Sequence, residues 1–336
     1  SGGKKLTKGE CMQKESGLII LILFMFIFSS LSPSSGYAYE LLIGTGEVGS
    51  FSYFAGKNVC RSIVRFDQEV SCRPVPSDNY TDNLTNVQAG SLDMALVNSK
   101  IIYDAFHNAG LFRFVSLNYD QLRLLMPLYR VPISLIVRSD AKISKLSDLS
   151  GKRVNSGAPF SLQSLIFKEL MALEGWKQDS FSLYQSLPSV NSQDFIALHN
   201  GSVQGMLHVG MHPDVRLDRG LASDQIDIVG INGANVSMLI DSISYFTSQV
   251  LPAGTYTDLA ADIETLSLET LLVTSADIDD VTVDLVLDAI ISAKKRLQSA
   301  HPSFLGRKTD VETLNSSYLH PHPAAILFFQ VNQSRL

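Results

Sequence analysis

The chain has 336 residues, 45% of them hydrophobic and 18% charged, enough for two ordinary domains or one large one. That apolar content excludes intrinsic disorder, and 22 Gly and 12 Pro are too few for a collagen or a linker protein. Three Cys do not make a disulfide scaffold, and a formal charge of −6 with no Lys/Arg block argues against a nucleic-acid partner, because phosphate binding needs a basic footprint.

The apolar run Leu18 to Phe28 is shorter than the ~20 residues of a membrane span and fits the roughly 7–15 of a signal-peptide core. Lys4, Lys5, Lys8 and Lys14 precede it, and Gly36-Tyr37-Ala38 offers small residues at −3 and −1 of a cleavage site. Residues 1–38 are therefore expected to be an export leader, with an uncleaved anchor as the alternative. Met12 is an alternative start, which would make residues 1–11 non-native. No Cys stands directly behind the run, and Cys11 is on the wrong side for lipid attachment. An exported chain would retain Cys60 and Cys72, a pair that can close a disulfide in an oxidising compartment; two buried thiols are the alternative.

Beyond the leader, Glu40 to Ile43 reads as a strand running into Gly44-Thr-Gly46-Glu-Val-Gly49-Ser50. Phe51, Phe54, Ala55, Val59, Ile63 and Phe66 then recur at helical spacing. Strands are expected at Val70–Val75 and Met94–Val97, with a helix over Asp78–Ala89 between them. Asn98-Ser99 is placed to cap a helix through Tyr103 to Ala109. Leu122–Leu128 and Pro132–Val137 are apolar, with Arg130 between them. After Leu146–Val154, Gly157–Ser161 opens a helix carrying Leu162, Leu165, Ile166, Phe167 and Leu170. Phe195–Leu198 is helical, Val203–Val209 is a strand ending in Gly210-Met-His212-Pro213, Ile226–Ile231 and Leu271–Thr274 are apolar, and Val281–Leu297 is an amphipathic helix. Strands alternating with helices predict an α/β fold with largely parallel sheet.

Gly44-x-Gly46-x-x-Gly49 lies between a strand and a helix, as in a dinucleotide fingerprint, with Asp67 and Glu69 about twenty residues on. The acid should end the second strand, however, and that strand ends near Val75; an exported protein also lacks ready nicotinamide cofactor. What survives is the physics of backbone N–H groups and a helix N-terminus facing an anion. Ser156 to Ser161 is a second loop of this kind, so two lobes facing one ligand are expected; two ordinary helix caps are the alternative. His199, His208, His212, His320 and His322 show no metal-ligand spacing, and there is no Gly-x-Ser-x-Gly elbow or catalytic Cys pattern. No cofactor and no catalysis are expected.

Six segments in order resemble the TAXI family of solute-binding proteins associated with TRAP transporters: IGTGEVGSFSYFAG at 43–56, LDMALVNSKIIYDAF at 92–106, ISKLSDLSGKRVNSGAP at 143–159, VQGMLHVGMHP at 203–213, LPAGTYTDLAADIETLSLETLLVTSADI at 251–278 and LHPHPAAILFF at 319–329. The resemblance implies a two-lobed type II periplasmic-binding-protein-like α/β fold with a hinge and an interlobe ligand cleft. It implies a monomer in the bacterial periplasm that captures a small anion, such as the glutamate or 2-oxoglutarate bound in the family, for a TRAP membrane subunit, often a fused permease. Lobe I is expected over 39–137 plus 236–336, and lobe II over 138–235.

Carried over residue by residue, the ligand-binding candidates are Thr45, Gly46, Gly49, Ser50 and Tyr53 in the first loop, Asn98 and Ser99 after the third strand, Ala158 and Ser161 at the second loop, and Gly210 and His212. Departures from the family pattern are Phe160-Ser161-Leu162-Gln163 where Gly-Ser-Gly-Thr is common, Glu47 where Gly is usual, and Met211 for the Gly before His-Pro. Arg130 is the cation expected to grip a carboxylate; its alternative is an ion pair at the hinge. Lys100, where Asp is common, is a second source of positive potential. The competing functions are an exported binding protein serving a sensor or surface receptor, and an exported α/β enzyme.

Overall fold

The strand–helix alternation is realised in the order β1 (Glu40–Thr45), α1 (Phe51–Phe66), β2 (Ser71–Pro76), α2 (Tyr80–Gln88), β3 (Met94–Asn98), α3 (Ser99–Phe106) and β4 (Leu122–Arg138). Then come β5 (Arg153–Asn155), α4 (Leu162–Glu174), β6 (Leu183–Gln185), α5 (Gln193–His199), β7 (Gly205–Val209), α6 (Val215–Ala222), β8 (Ile226–Val229), α7 (Ala234–Ser242) and β9 (Phe246–Leu251). The chain closes with β10 (Ile263–Ser275), α8 (Asp280–Ser292), α9 (Lys294–Ala300), α10 (Val311–Asn315) and α11 (Pro323–Val331). This computed structural model describes residues 2–3, 40–78, 80–114, 118–306, 309–315 and 319–333. The expected leader, 1–38, lies outside the described residues except for Gly2 and Gly3. The chain falls into two units, Ser1–Tyr39 and Glu40–Leu336, and all these elements belong to the second.

The strands form one hydrogen-bonded sheet in the order β2-β1-β3-β10-β4-β7-β5-β6, with β8 on β4 and β9 on β10. β1, β2 and β3 are mutually parallel, as are β5, β6 and β7. Two long strands join these groups: β10 runs antiparallel to β3, β4 and β9, and β4 antiparallel to β7 and β8. The two apolar runs around Arg130 are thus one strand. Pro127 and Pro132 lie within it, and proline supplies no N–H to a ladder. The register of β4 on β10 shifts between Thr270 and Leu271, beside Pro127.

Side-chain packing divides where hydrogen bonding does not. One core joins Leu41 to Tyr129 with Leu271 to Phe329. A second joins Ile133 to Tyr245, Phe246, Leu266 and Leu268, and a third, smaller one gathers Ile136, Phe195, Met206, Leu217, Ile228, Leu251 and Tyr256. The changeover falls at 131–133 in β4 and 268–271 in β10. Val236, Leu239, Tyr245 and Phe246 pack with the second core, because β9 pairs with the far half of β10.

Local chemistry sets the helix starts. Ser50, Asn98 and Ser161 each lie in extended backbone and accept from the N–H of Tyr53, Ile101 and Ser164, capping α1, α3 and α4. Each such cap is worth about 1 kcal/mol. Helix α1 buries Ala55, Val59, Cys60 and Ile63, and Cys60 is disulfide-bonded to Cys72 in β2 with Cα atoms 5.0 Å apart. Gly56 sits where a Cβ would come within 2.4 Å of Thr45 Cγ2, so only glycine lets α1 lie this close to the end of β1.

Candidate functional site

Four strand ends meet near the middle of β4. Asn98 pairs with Thr270, which pairs with Tyr129, so the end of β3 lies level with Tyr129 across β10. Phe51, the first residue of α1, packs edge-on against Tyr129 at 4.9 Å, and its ring lies tilted against Phe304 at 5.7 Å. Ser99 Oγ donates to Tyr245 O (2.8 Å) and accepts from Glu269 N (3.2 Å). From the other side, the Gly210 N–H donates to Pro132 O, and His212 and Ser134 Oγ lie 2.9 Å apart. The structure thus gathers the Ser50/Phe51 turn, Asn98, Ser99, Arg130, Gly210 and His212 about one segment of the sheet.

The remaining candidates hold their own loops. Thr45 is fully buried, and its carbonyl accepts from Asn83 Nδ2 at 2.9 Å. Gly46 N–H donates to Ser52 Oγ, and Gly49 takes φ +95°. Tyr53 lies under Lys57, whose Nζ is 5.8 Å from the ring centroid. Ser161 Oγ donates to Ala158 O while capping α4. Phe160 has φ +62° and is exposed, a left-handed conformation that suits the glycine common at this place in the resembling family. Glu47 lines a hollow with Asp78 and Asp82 and is not among the residues around Arg130. Lys100 does not supply potential to a ligand: it is buried, 2.5 Å from Asp104 Oδ1 and 3.6 Å from Glu169 Oε1.

Beside this junction lies a cavity of about 480 Å³. Its walls come from four distant stretches: Pro127–Pro132 of β4, His212-Pro213, Gln249–Thr255 around the end of β9, and a last one that gives Pro302, Ser303, Leu305, Gly306, Thr309 and Thr313, with Glu269 of β10. Of the sequence candidates, Arg130 and His212 line it, while Thr45, Gly46, Gly49, Ser50, Tyr53, Asn98, Ser99, Ala158, Ser161 and Gly210 do not. No site residue was expected in these last two walls, although 251–278 is one of the resembling segments. Arg130 stands opposite Glu269 across the β4–β10 ladder, and its Nε is 3.4 Å from Glu269 Oε1. Its Nη1 reaches Ser248 O, also at 3.4 Å. Both contacts are long for charge-assisted bonds, which run about 2.7–2.9 Å.

His212 forms the inner edge of the cavity. Its Nδ1 lies 2.7 Å from Tyr256 Oη, and Tyr256 Oη accepts from Asp214 N–H at 2.9 Å. The two ring nitrogens of His212 are thus bonded to Tyr256 Oη and Ser134 Oγ, one as donor and the other as acceptor when the ring is neutral. Burial, with His208 nearby, pushes the His212 pKa down to about 3 against the pull of Asp214, so the ring is neutral. Burial also lowers the pKa of His208, whose Nε2 has no hydrogen-bond partner among the described residues and lies 3.9 Å from Asp214 Oδ2. Burial pushes Asp214 upward, yet bonds from the Arg216 side chain and backbone outweigh it and hold the carboxyl below its usual range.

Side-chain cores joined through two long strands, with a cavity of small-molecule size beside the crossing, give the chain a place for a small ligand. The chain belongs to the NMT1-like family, which matches residues 43–330. A TctC solute-binding protein from Polaromonas superposes with a TM-score of 0.51 at 12% identity over 80% of this chain and 88% of that one, and shows the same fold. PhnD1 from Prochlorococcus marinus, in complex with methylphosphonate, gives 0.48 at 10% identity over 89% and 100%. The alkanesulfonate-binding protein SsuA from Xanthomonas axonopodis, bound to MOPS, gives 0.46 at 15% over 87% and 83%. Among the described residues, no helix is long and apolar enough to cross a membrane.

Proposed function

We propose that this chain is a periplasmic solute-binding protein of TAXI type that captures a small organic anion, a carboxylate, and delivers it to a TRAP-type membrane transporter. In this reading residues 1–38 are removed on export and the mature chain acts as a monomer. One lobe is built on 40–131 with 269–336 and the other on 132–268, hinged where β4 and β10 cross. The single observation that carries the ligand reading is Arg130, a guanidinium held in the wall of a largely apolar cavity by two long contacts. Such a fork can turn from a weak partner to grip a carboxylate bidentately. The N-terminus of α1, capped by Ser50 and with Phe51 packed on Tyr129, adds positive potential of about half a charge at the junction.

A ligand that bridges the two lobes shifts the population toward the closed form by its additional contacts there. The experiment is mass-spectrometric identification of the ligand retained on purification, on the wild type and on Gly306→Trp. Gly306 lines the cavity, and a Cβ there meets nothing nearer than 3.8 Å, so the indole can be placed to fill the space. A carboxylate present in the wild type and lost from the folded variant supports the reading. Retention of the same ligand by Gly306→Trp moves the site elsewhere.

A further inference from the structure

Helix α1 turns one side to the core and the other to solvent. Ala55, Val59, Cys60 and Ile63 are buried, whereas Phe54, Lys57, Arg61, Val64 and Arg65 are exposed. At about 100° per residue these five positions fall within a sector of roughly 100°, so they share one face of the helix. Its three cations follow one another at i, i+4 and i+8, a turn apart. Among the described residues none of the three is in an ion pair; Lys57 Nζ stands 5.8 Å from the centre of the Tyr53 ring. The charged side chains of the second unit that lie outside the described residues are Arg307, Lys308 and Arg335, all cations, so none of them can neutralise this face. The Cys60–Cys72 bridge fastens α1 to β2, so the face is carried by an element with a fixed place in the fold.

Three cations in a row run against the sign of the whole chain, whose formal charge is −6. They stand on a convex helix and line neither the cavity beside β4 nor the hollow at Glu47. Such a row suits a flat, fluid surface that brings an anion to each cation in turn; a folded protein partner would need carboxylates fixed at the same spacing. Tyr53, partly exposed on the flank of the row, with Phe54 at 38% and Val64 at 39% exposure, adds ring and branched apolar surface on the same side. Aromatic and short apolar groups beside cations are what the headgroup layer of a membrane accepts. We infer that the exposed face of α1 docks the protein on anionic phospholipid headgroups. Lys57, Arg61 and Arg65 meet the phosphates, and Phe54 and Val64 rest at the headgroup boundary. Docking of this kind is independent of what the cavity binds.

The test is flotation of the chain with vesicles of phosphatidylcholine, alone or mixed with phosphatidylglycerol. Each basic side chain at an anionic surface strengthens binding roughly fivefold, so the three together should give about a hundredfold preference for the anionic vesicles. That preference should vanish as NaCl rises from about 0.1 to 1 M and the Debye length falls from about 10 to 3 Å. Lys57→Gln/Arg61→Gln/Arg65→Gln should lose most of it. Lys145→Gln/Lys168→Gln/Lys177→Gln, which changes the net charge equally at exposed positions elsewhere, should keep it. All six positions are on the surface, so both variants should fold. Acetylation of Lys57, followed by peptide mass spectrometry, should be slowed by anionic vesicles and not by neutral ones, which reads contact at α1 whatever else attaches the chain to a vesicle. No preference for anionic vesicles, equal losses in the two triple variants, or a Lys57 as reactive on anionic vesicles as in solution would each overturn the proposal. Polyglutamate shielding Lys57 where the vesicles do not would overturn it as well and give the face to an acidic polypeptide.

Discussion

Lys100 provides the sharpest test of the packing argument. Its ammonium is buried together with the Asp104 carboxylate one helical turn away, with side-chain exposures of 5% and 1%. Asp104 Oδ2 is buried with no hydrogen-bond partner, so Lys100 supplies the only charge compensation seen at that carboxylate among the described residues. The same ammonium lies 5.1 Å from the centre of the Tyr245 ring, on the second core, and 3.6 Å from Glu169 of α4. Lys100→Met keeps the length of the side chain and removes its charge. Breaking a buried pair from one side costs about 3–5 kcal/mol, because the partner charge stays buried and unmatched. That is a large part of the roughly 5–15 kcal/mol that holds a domain folded. Lys100→Met with Asp104→Leu removes both charges and should recover most of the loss. Glu169→Gln, at the longer and more exposed arm, should cost less than about 1 kcal/mol. Urea unfolding of the wild type and these three variants gives the comparison directly. A single variant within 1 kcal/mol of wild type, or a double variant as damaged as the single, would refute the claim that the cost lies in stranding Asp104.

Three further outcomes are expected. His212 is neutral in the folded state with a pKa of about 3, while in the unfolded chain it titrates near 6.5, so the unfolded state binds more protons between these values. Stability should therefore fall as pH drops through that window, by up to about 1.4 kcal/mol per pH unit from this residue; denaturation curves for His212→Gln should be flatter there, and an unchanged slope would exclude the assignment. Reducing the Cys60–Cys72 bridge, with a sequence separation of 12, should lower stability by about 2–3 kcal/mol in the chain-entropy model, read as a fall in melting temperature with reductant. Phe160→Gly should stabilise by about 1 kcal/mol, because a left-handed φ strains a non-glycine residue; destabilisation on chemical denaturation would show that the exposed ring makes contacts that outweigh the strain.

Much of the fold was legible in the sequence because its signals are local. The helical spacing of Ala55, Val59 and Ile63, the serine and asparagine caps, and the strand–loop–helix runs at 40–66 and 153–174 depend only on neighbours in the chain. β10 was legible only in its last turn of apolar residues, Leu271–Thr274. Its first half carries Thr265, Ser267 and Thr270, which are buried but polar: Thr265 bonds to Ile133 O, and Ser267 lies 2.8 Å from Thr247 Oγ1. Hydrogen bonds to distant strands make those hydroxyls suitable for the interior, and no hydropathy pattern carries that information. β9 went unseen for the same reason, and with it the packing of Val236, Leu239, Tyr245 and Phe246 in the second core.

The sequence by itself determined the α/β alternation, the helix starts at Ser50, Asn98 and Ser161, and the residue types available to a site, Arg130 and His212 among them. Only the tertiary structure decided which of them share a cavity. The register of β4 on β10 sets Arg130 against Glu269, 139 residues away, and the folded chain brings Gln249–Thr255 and Pro302, Gly306 and Thr313 to the same cavity. It also decided that Lys100 is neutralised in the interior and that His212 is uncharged. Charge, in this chain, is a property of the environment into which the backbone carries each group, and burial and cross-strand pairing are settled by contacts that no short stretch of sequence contains.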